Sequence, residues 1–591
     1  MKRKWLAIGI ILVFVGTNII PSTAQIMEKT ESTARGNWLY VGGSGPGNYS
    51  KIQDAINDSH NGDTVFVYDD SSPYYEHLVI EKSIALIGEN RQTTILDGEN
   101  SGIADVVSLD GDGIVLRGFT IQNSGNDGYH LYSGVCLQYG SSLNTISDTC
   151  VTNNYYGLII SHSSSNSIEN NSISNNRMYG LYLSASRGNT IVNNTFTSGD
   201  GLSIFGNYVE DLNTHTILNN TMDGRLIRYY KNESNLIIPE DTGVVILANC
   251  TNCIIRNLDF SDTDEAIQLL NSSYTIISEN TIQGCAIHGI RLLYAYNNDV
   301  RNNMFRNNTK VGLYIFESGI TTIGGNTFIE NTYGIYLSAT YRNRIIGNTF
   351  LRNQYGIGLV ECNHYGANGN VITNNTFVDL GLGVYVMDLC AGCHDNYVYH
   401  NTFINCSAKD QCDNTWDARY PWGGNYWSTN EGTDENNDGI GDTAFLLEDG
   451  INADHYPLMN PWEQENQHPK KPQIHGCRIG KINKEYTYQV NASDSNGDAI
   501  WYLIDWGDQQ TETIGPFHQN KKMNVTHTWS SQGKYLMKVK SIDPYDTQST
   551  LVSYRIWIPF SADSPIYKLF EKLAEQYPHA FPFLRYLLGL S

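Results

Sequence analysis

From Asn171 onward a tripeptide of the type Asn-Thr-Phe returns at near-constant intervals. It reads Asn171-Ser172-Ile173, Asn194-Thr195-Phe196, Asn280-Thr281-Ile282, Asn303-Met304-Phe305, Asn326-Thr327-Phe328, Asn348-Thr349-Phe350, Asn375-Thr376-Phe377 and Asn401-Thr402-Phe403. The spacing is 22 to 27 residues, apart from the stretch between Asn194 and Asn280. A second marker keeps step: Tyr156-Gly157, Tyr179-Gly180, Tyr333-Gly334 and Tyr355-Gly356 each open an alternating apolar strand. A period of two, with Gly and Asn inside every unit, argues against helical repeats. One such unit cannot bury its apolar face, so units must stack, with each strand paired above and below at roughly 4.8 Å per coil. The chain is therefore expected to be all-β, a right-handed parallel β-helix over residues 38–412. The recurrent Asn reads as an inward ladder bonding turn backbone in neighbouring coils, and the Gly after Tyr as a turn residue.

The two ends of the solenoid have their own signals. Residues 49–58 read as a short amphipathic helix with Ile52, Ala55 and Ile56 on one face, capping the first coil's open edge. After the repeats, residues 413–462 form the β-helix C-terminal region, and 463–472 a polar linker. Alternating strands at sandwich spacing then fill 473–560, and 561–591 reads as a short helix with an apolar tail.

Gly62-Asp63-Thr64-Val65, Lys82-Ser83-Ile84, Leu86-Ile87-Gly88 and Thr94-Ile95-Leu96-Asp97-Gly98 resemble the N-terminal region of pectate-lyase-like β-helices. Arg228-Tyr229-Tyr230-Lys231-Asn232, Ala266-Ile267-Gln268-Leu269, Gly424-Asn425-Tyr426-Trp427-Ser428 and Asp454-His455-Tyr456-Pro457 resemble the NosD-like family of carbohydrate-binding and sugar-hydrolysis-type β-helices. That resemblance covers residues 38–461 and implies the fold more than any activity. Asp505-Trp506-Gly507-Asp508 with His527-Thr528-Trp529 and Gly533-x-Tyr535 resembles a PKD domain, an Ig-like β-sandwich of surface proteins. The tail is similar to those of some archaeal exported proteins.

Lys2, Arg3 and Lys4, an apolar run from Leu6 to Ile20, and Ser22-Thr23-Ala24 read as a secretory signal over 1–24, with an uncleaved anchor as the alternative. No later stretch is apolar enough to cross a bilayer, so the mature chain is expected outside the cell or on its surface. The 61 acidic against 38 basic residues give a net charge of −23, which disfavours nucleic acid as a partner. Eleven cysteines in an exported chain suggest disulfides, with pairs expected among Cys362, Cys390 and Cys393, at Cys250/Cys253 and at Cys406/Cys412.

Candidate chemistry is sparse. Asp434, Asn436, Asp438 and Asp442 place oxygens at alternate positions, with the Ile440 carbonyl between them and Gly439 at the sharp turn, which suits a structural Ca²⁺. Cys390-Ala391-Gly392-Cys393-His394 matches a haem-attachment pattern, but no apolar pocket or second ligand accompanies it, so haem is not expected. With Cys362 and His364 one coil earlier, zinc or copper is a weaker alternative to disulfides. Asp110, Asp112, Asp262, Asp264 and Glu265 read as solvated turn acids, and Asp494, Asn496 and Asp498 as a solvated turn with ion binding as the alternative. Ile287-His288-Gly289-Ile290-Arg291 has part of the flavour of a β-helix glycosidase motif, without an Asp pair one coil before it.

The modular architecture and the lack of a complete catalytic signature favour a non-catalytic protein whose abundant tyrosines and tryptophans, 39 and 10, bind polysaccharide or surface glycans by stacking, with cell-envelope components as further partners. The alternatives are a polysaccharide lyase or glycoside hydrolase working in a β-helix groove, and a NosD-like accessory protein for an exported metalloenzyme.

Overall fold

The computed structural model describes residues 36–100, 104–125, 132–138, 140–360, 366–387, 392–448, 451–463, 466–517, 520–561, 564–577 and 579. The signal segment, Cys362, His364, Cys390 and the apolar end of the tail lie outside these. The helix predicted at the first coil runs Ile52–Asp58 and buries Ile52, Ala55 and Ile56 against it. Each later coil lays short strands on three faces. One coil, for example, runs Thr145–Ser147, Cys150–Thr152 and Tyr156–Ser161, and each strand pairs parallel with its counterpart in the next coil.

The tripeptide explains the stacking. Phe305, Phe328, Phe350, Phe377, Phe403 and Trp427 form an inward column with ring centroids 4.6, 4.9, 4.8, 4.7 and 4.1 Å apart. That is the strand spacing itself. The Asn beside each Phe forms the expected ladder. Asn303 Oδ1 accepts from the backbone N–H of Asn280 at 3.0 Å, and Asn303 Nδ2 donates to the Ile277 carbonyl at 2.9 Å. The residue just before each rung takes a positive φ, as at Asn170 (57°), Asn193 (56°), Asn302 (54°) and Asn374 (55°). Asn tolerates this left-handed conformation better than most residues, which accounts for the Asn-Asn pairs.

The glycines after tyrosine act differently from the expectation. None of Gly157, Gly180, Gly334 and Gly356 has a positive φ. They allow close approach instead. A Cβ on Gly334 would lie 2.7 Å from the Gly356 carbonyl oxygen, and one on Gly356 would lie 2.4 Å from that of Gly383.

The solenoid consists of two stacks. The six-stranded sheet of the first ends at Leu202–Phe205. The chain then crosses through the helix Val209–Asn213 and the antiparallel pair Thr221–Met222 with Arg225–Lys231. It begins the second stack with Thr242–Ala248, buried at every residue. Val245 and Leu247 enter the second core, whereas Val244, Ile246 and Ala248 pack into the first. One face of the second stack thus closes over the end of the first.

A β-sandwich follows, with a three-stranded and a five-stranded sheet around Tyr488, Trp506, Trp529 and Tyr554. Ala499, Trp501 and Ile542 dock against Val371, Tyr397, Tyr399 and Ala418 of the β-helix. The helix Pro565–Gln576 buries Tyr567 and Ala574. No helix among the described residues is long and apolar enough to cross a membrane.

The structure departs from the sequence pattern at the cysteines and at one acidic turn. No disulfide joins Cys250 to Cys253 or Cys406 to Cys412; Cys250, Cys253 and Cys406 are buried as thiols in the second core. Asp494, Asn496 and Asp498 are not solvated, each being buried where the sandwich meets the β-helix, and Tyr399 Oη lies 3.5 Å from Asp498.

Candidate functional site

Asp264 and Glu265 are the chief surprise. Instead of solvated turn acids they are buried at the seam between the two stacks. The coil lifts them off the exposed corner at Asp262 and onto the strand Glu265–Leu270, beside the last strand of the first stack. Asp264 Oδ2 accepts from the backbone of Gly180 at 3.0 Å and Gly201 at 2.6 Å. Burial, and then the neighbouring Asp200, raises the Asp264 carboxyl well above the usual carboxylate range.

Glu265 is the hub. Its Oε1 accepts from Tyr179 Oη at 3.0 Å and from His288 Nδ1 at 2.6 Å. Its Oε2 accepts from Ser203 Oγ at 3.1 Å and from Arg291 Nε at 3.0 Å. The Arg291 guanidinium also donates to the Ile204 carbonyl at 2.8 Å and Gln268 Oε1 at 2.9 Å. Burial works against the charge of Glu265, but Arg291 and then His288 outweigh it and hold the carboxyl down at about 2.

With Glu265 ionised, the Nδ1 of His288 carries the proton that bridges them. Burial lowers the His288 pKa from its ordinary value, although Glu265 opposes this, so the ring is neutral at neutral pH. Nε2 is then the ring nitrogen left without a proton, on a side chain that is 14% exposed. This is the geometry of a carboxylate-oriented imidazole, able to accept a proton at Nε2.

His288 also begins an aromatic track along the outward face of the second stack. His288 stacks on Tyr314 at 4.6 Å, Tyr314 lies 5.6 Å from Tyr336, and Tyr336 meets Tyr333 edge-on at 5.1 Å. Tyr333 stacks on Tyr355 at 4.6 Å, Tyr355 on Tyr385 at 5.6 Å, and Lys409 Nζ sits 6.0 Å over Tyr385. Across the seam, Tyr179 stacks on Tyr182 at 5.1 Å, and Tyr156 lies 6.2 Å from each. Most of these rings are half-buried, leaving part of each ring to solvent.

The other sequence-derived candidates fall elsewhere. Asp434, Asn436, Asp438, Ile440 and Asp442 share one loop, where the oxygens accept backbone N–H groups: Asp434 from Asp438 and Gly439, Asn436 from Asp438, Asp438 from Ile440 and Asp442 from Glu435. Asp110 and Asp112 hold turns, with Asp112 accepting from Ser142 N at 2.7 Å. His394 pairs with Asp395 at 2.8 Å. Asp508 and His527 of the sandwich pair at 2.8 Å while His527 stacks on Trp506 at 4.5 Å, which explains that motif as packing. Sequence reasoning did not find Tyr179, Ser203, Gln268 or Arg291 as a group. The available signal was that Glu265 and His288, like Gln268 and Arg291, are one coil apart.

A family model described as "Periplasmic copper-binding protein (NosD)" matches residues 56–238 and 227–432, more than half of the chain. A "Probable ABC transporter binding protein NosD" from Stutzerimonas stutzeri is 36% identical over 89 residues. That stretch is 15% of this chain and 20% of the relative, so the chain matches only a fifth of that protein's length. A counterpart from Pseudomonas aeruginosa is 34% identical over 91 residues, again 20% of that protein. Among solved structures, the PKD domain of an M14-like peptidase from a Thermoplasmatales archaeon aligns at 33% identity over 16% of this chain and 99% of that domain, with a TM-score of 0.16. The periplasmic alginate epimerase AlgG aligns at 11% identity over 62% of this chain and 82% of that one, with a TM-score of 0.24.

The family description names copper, so the donors bear on it. Among the described residues no three His, Cys, Asp or Glu side chains gather as a metal site. The thiols of Cys250, Cys253, Cys285 and Cys406 are buried in the apolar core, and among the described residues His288 and Glu265 have no third His, Cys, Asp or Glu gathered with them as a metal site. These residues do not fit a copper centre.

Proposed function

The chain belongs to the NosD family, and we propose that it is an exported β-helix protein that holds a polysaccharide or surface glycan along its outer face. The observation that carries this reading is the tyrosine track from Tyr314 to Tyr385, five tyrosines in successive ring contacts. Sugar rings present apolar faces that lie well on aromatic ones, and each such contact contributes about 1 kcal/mol. A repeating polymer suits a repeating surface, and two rows of this sheet carry the rings at coil spacing, Tyr314, Tyr336 and Tyr385 in one and Tyr333 and Tyr355 in the other. The sandwich serves in this reading as a spacer or adhesion module. The Asp434–Asp442 loop is assigned a structural Ca²⁺, on its alternate oxygens and its cluster of carboxylates.

The test is binding of the full chain to a panel of neutral and acidic polysaccharides by affinity electrophoresis. Tyr333→Ala and Tyr355→Ala are each expected to weaken binding about fivefold, with the melting curve little changed. Binding that ignores both substitutions overturns the reading. Chelation with EGTA is expected to lower the first thermal transition and leave the track's affinity unaltered; an unchanged melting curve removes Ca²⁺ from the loop.

A further inference from the structure

We propose that His288 is the general base of a β-elimination centre acting on a uronic-acid-containing glycan, with Lys310 facing the sugar carboxylate. This rests on the glycan-binding reading above and gives it a substrate class.

Glycoside hydrolysis uses two carboxyl groups flanking the bond. Asp200, Asp264 and Glu265 are all buried, and their oxygens are taken by Asn176, by Gly180 and Gly201, and by Tyr179, Ser203, His288 and Arg291. None turns toward the track. The groups that do reach the outer side are a neutral imidazole and an ammonium.

His288 opens the strand His288–Leu293, and its partner in the next coil is Val311. Lys310 precedes Val311, so it stands beside His288 at the mouth of the seam. It is exposed, and its Nζ reaches across the seam to Met178 Sδ at 3.5 Å, next to Tyr179. A base and a cation on one aromatic floor match the needs of proton removal next to a carboxylate. The cation offsets the charge that collects on that carboxylate, and the base takes the proton.

The step balances without any further reactant. The C5–H bond breaks and its proton goes to His288 Nε2. The electron pair forms the C4=C5 double bond, and the C4–O4 bond breaks. The departing chain carries the pair of the broken C4–O4 bond on O4 and takes a proton from water, and the imidazolium returns its proton to solvent. Glu265 stays ionised throughout, holding the ring by Nδ1, and Arg291 keeps Glu265 ionised. The chain's net charge of −23 opposes a polyanion at long range, but that repulsion is screened beyond roughly 8 Å at physiological salt, so local contacts decide.

The experiment incubates the full-length chain with polygalacturonate, alginate and a neutral glucan. Binding is read by affinity electrophoresis, and new C4=C5 ends by their ultraviolet absorbance. The expected result is that at least one uronate polymer is bound and cleaved with unsaturated ends, while the neutral glucan gains none. His288→Gln should lower turnover about 100-fold or more with binding and melting curve retained. Lys310→Met, an exposed change, should lower turnover on uronate and weaken its preference over neutral glucan. A uronate polymer bound without unsaturated ends overturns this inference and leaves the glycan reading standing. No polymer bound overturns both. Cleavage that survives His288→Gln overturns the role of His288.

Discussion

Asn303 accepts the backbone N–H of Asn280, accepts again from Asn280 Nδ2 at 2.9 Å, and donates to Ile277 and Arg301 carbonyls. Replacing it with Ala leaves the buried Asn280 N–H without its acceptor and takes a donor from the Ile277 carbonyl, while the Arg301 carbonyl keeps the Glu279 N–H. A single unsatisfied buried group costs about 1–3 kcal/mol. Asn303→Ala is therefore expected to lower stability by about 2–4 kcal/mol, read as an earlier urea midpoint, whereas the same change at exposed Asn302 should have a much smaller effect. The last rung differs. Asn425 N donates to Asp454 Oδ2 at 2.6 Å and Trp427 Nε1 donates to the same oxygen at 3.0 Å. Burial raises Asp454 from 3.8 to about 7 despite these donors. A carboxyl raised on folding favours the native state when it is protonated. Its contribution is complete below pH 3.8 and is lost as pH rises toward about 7. Asp454→Asn should flatten the melting temperature across that window, and an unaltered slope would assign the dependence to other groups such as Asp200.

At the scale of strands and coils, the seam shows how a period hides a site. The tripeptide and the Tyr-Gly marker were legible because both recur, and recurrence reports stacking. Glu265, Gln268, His288 and Arg291 do not recur. They appear once, where the second stack crosses the end of the first, and their partners Tyr179 and Ser203 lie more than sixty residues away in sequence. The burial of Asp264 and Glu265 follows from that crossing, which no local pattern encodes. The thiol at Cys250 escapes local pattern for a related reason: a Cys-x-x-Cys spacing suits a disulfide, but the coil uses both side chains as small core groups. Arg291 can be tested as an element-level tie. Arg291→Met removes the counter-ion of a buried carboxylate, so it should destabilise the seam by about 3–5 kcal/mol. Glu265→Gln with Arg291→Met should recover part of that loss, and a double variant no better than the single one would refute the pairing.

In the whole molecule, the sandwich is fastened to the β-helix. Arg344 lies 4.4 Å over the Trp501 ring and pairs with Asp546, while Ala499 N donates to Tyr399 Oη at 2.9 Å. The Arg344 guanidinium is pushed down to about 10 by burial, with Asp543 opposing the shift. Arg344→Ala should remove about 2 kcal/mol of docking, visible as faster proteolysis between residues 463 and 472 while each part keeps its own core. The ladder also has a direction. Each coil donates its N–H forward, to the Asn oxygen of the coil that follows: Asn280 to Asn303, Asn303 to Asn326 and Asn326 to Asn348. A chain made from its N-terminus therefore always ends, while it grows, on a donor waiting for a residue not yet synthesised. Each new coil answers the last one and poses the same question to the next. On the column beside the phenylalanines the reply that asks nothing further is Asp454, which accepts from Asn425, so that column is complete only when this carboxyl arrives.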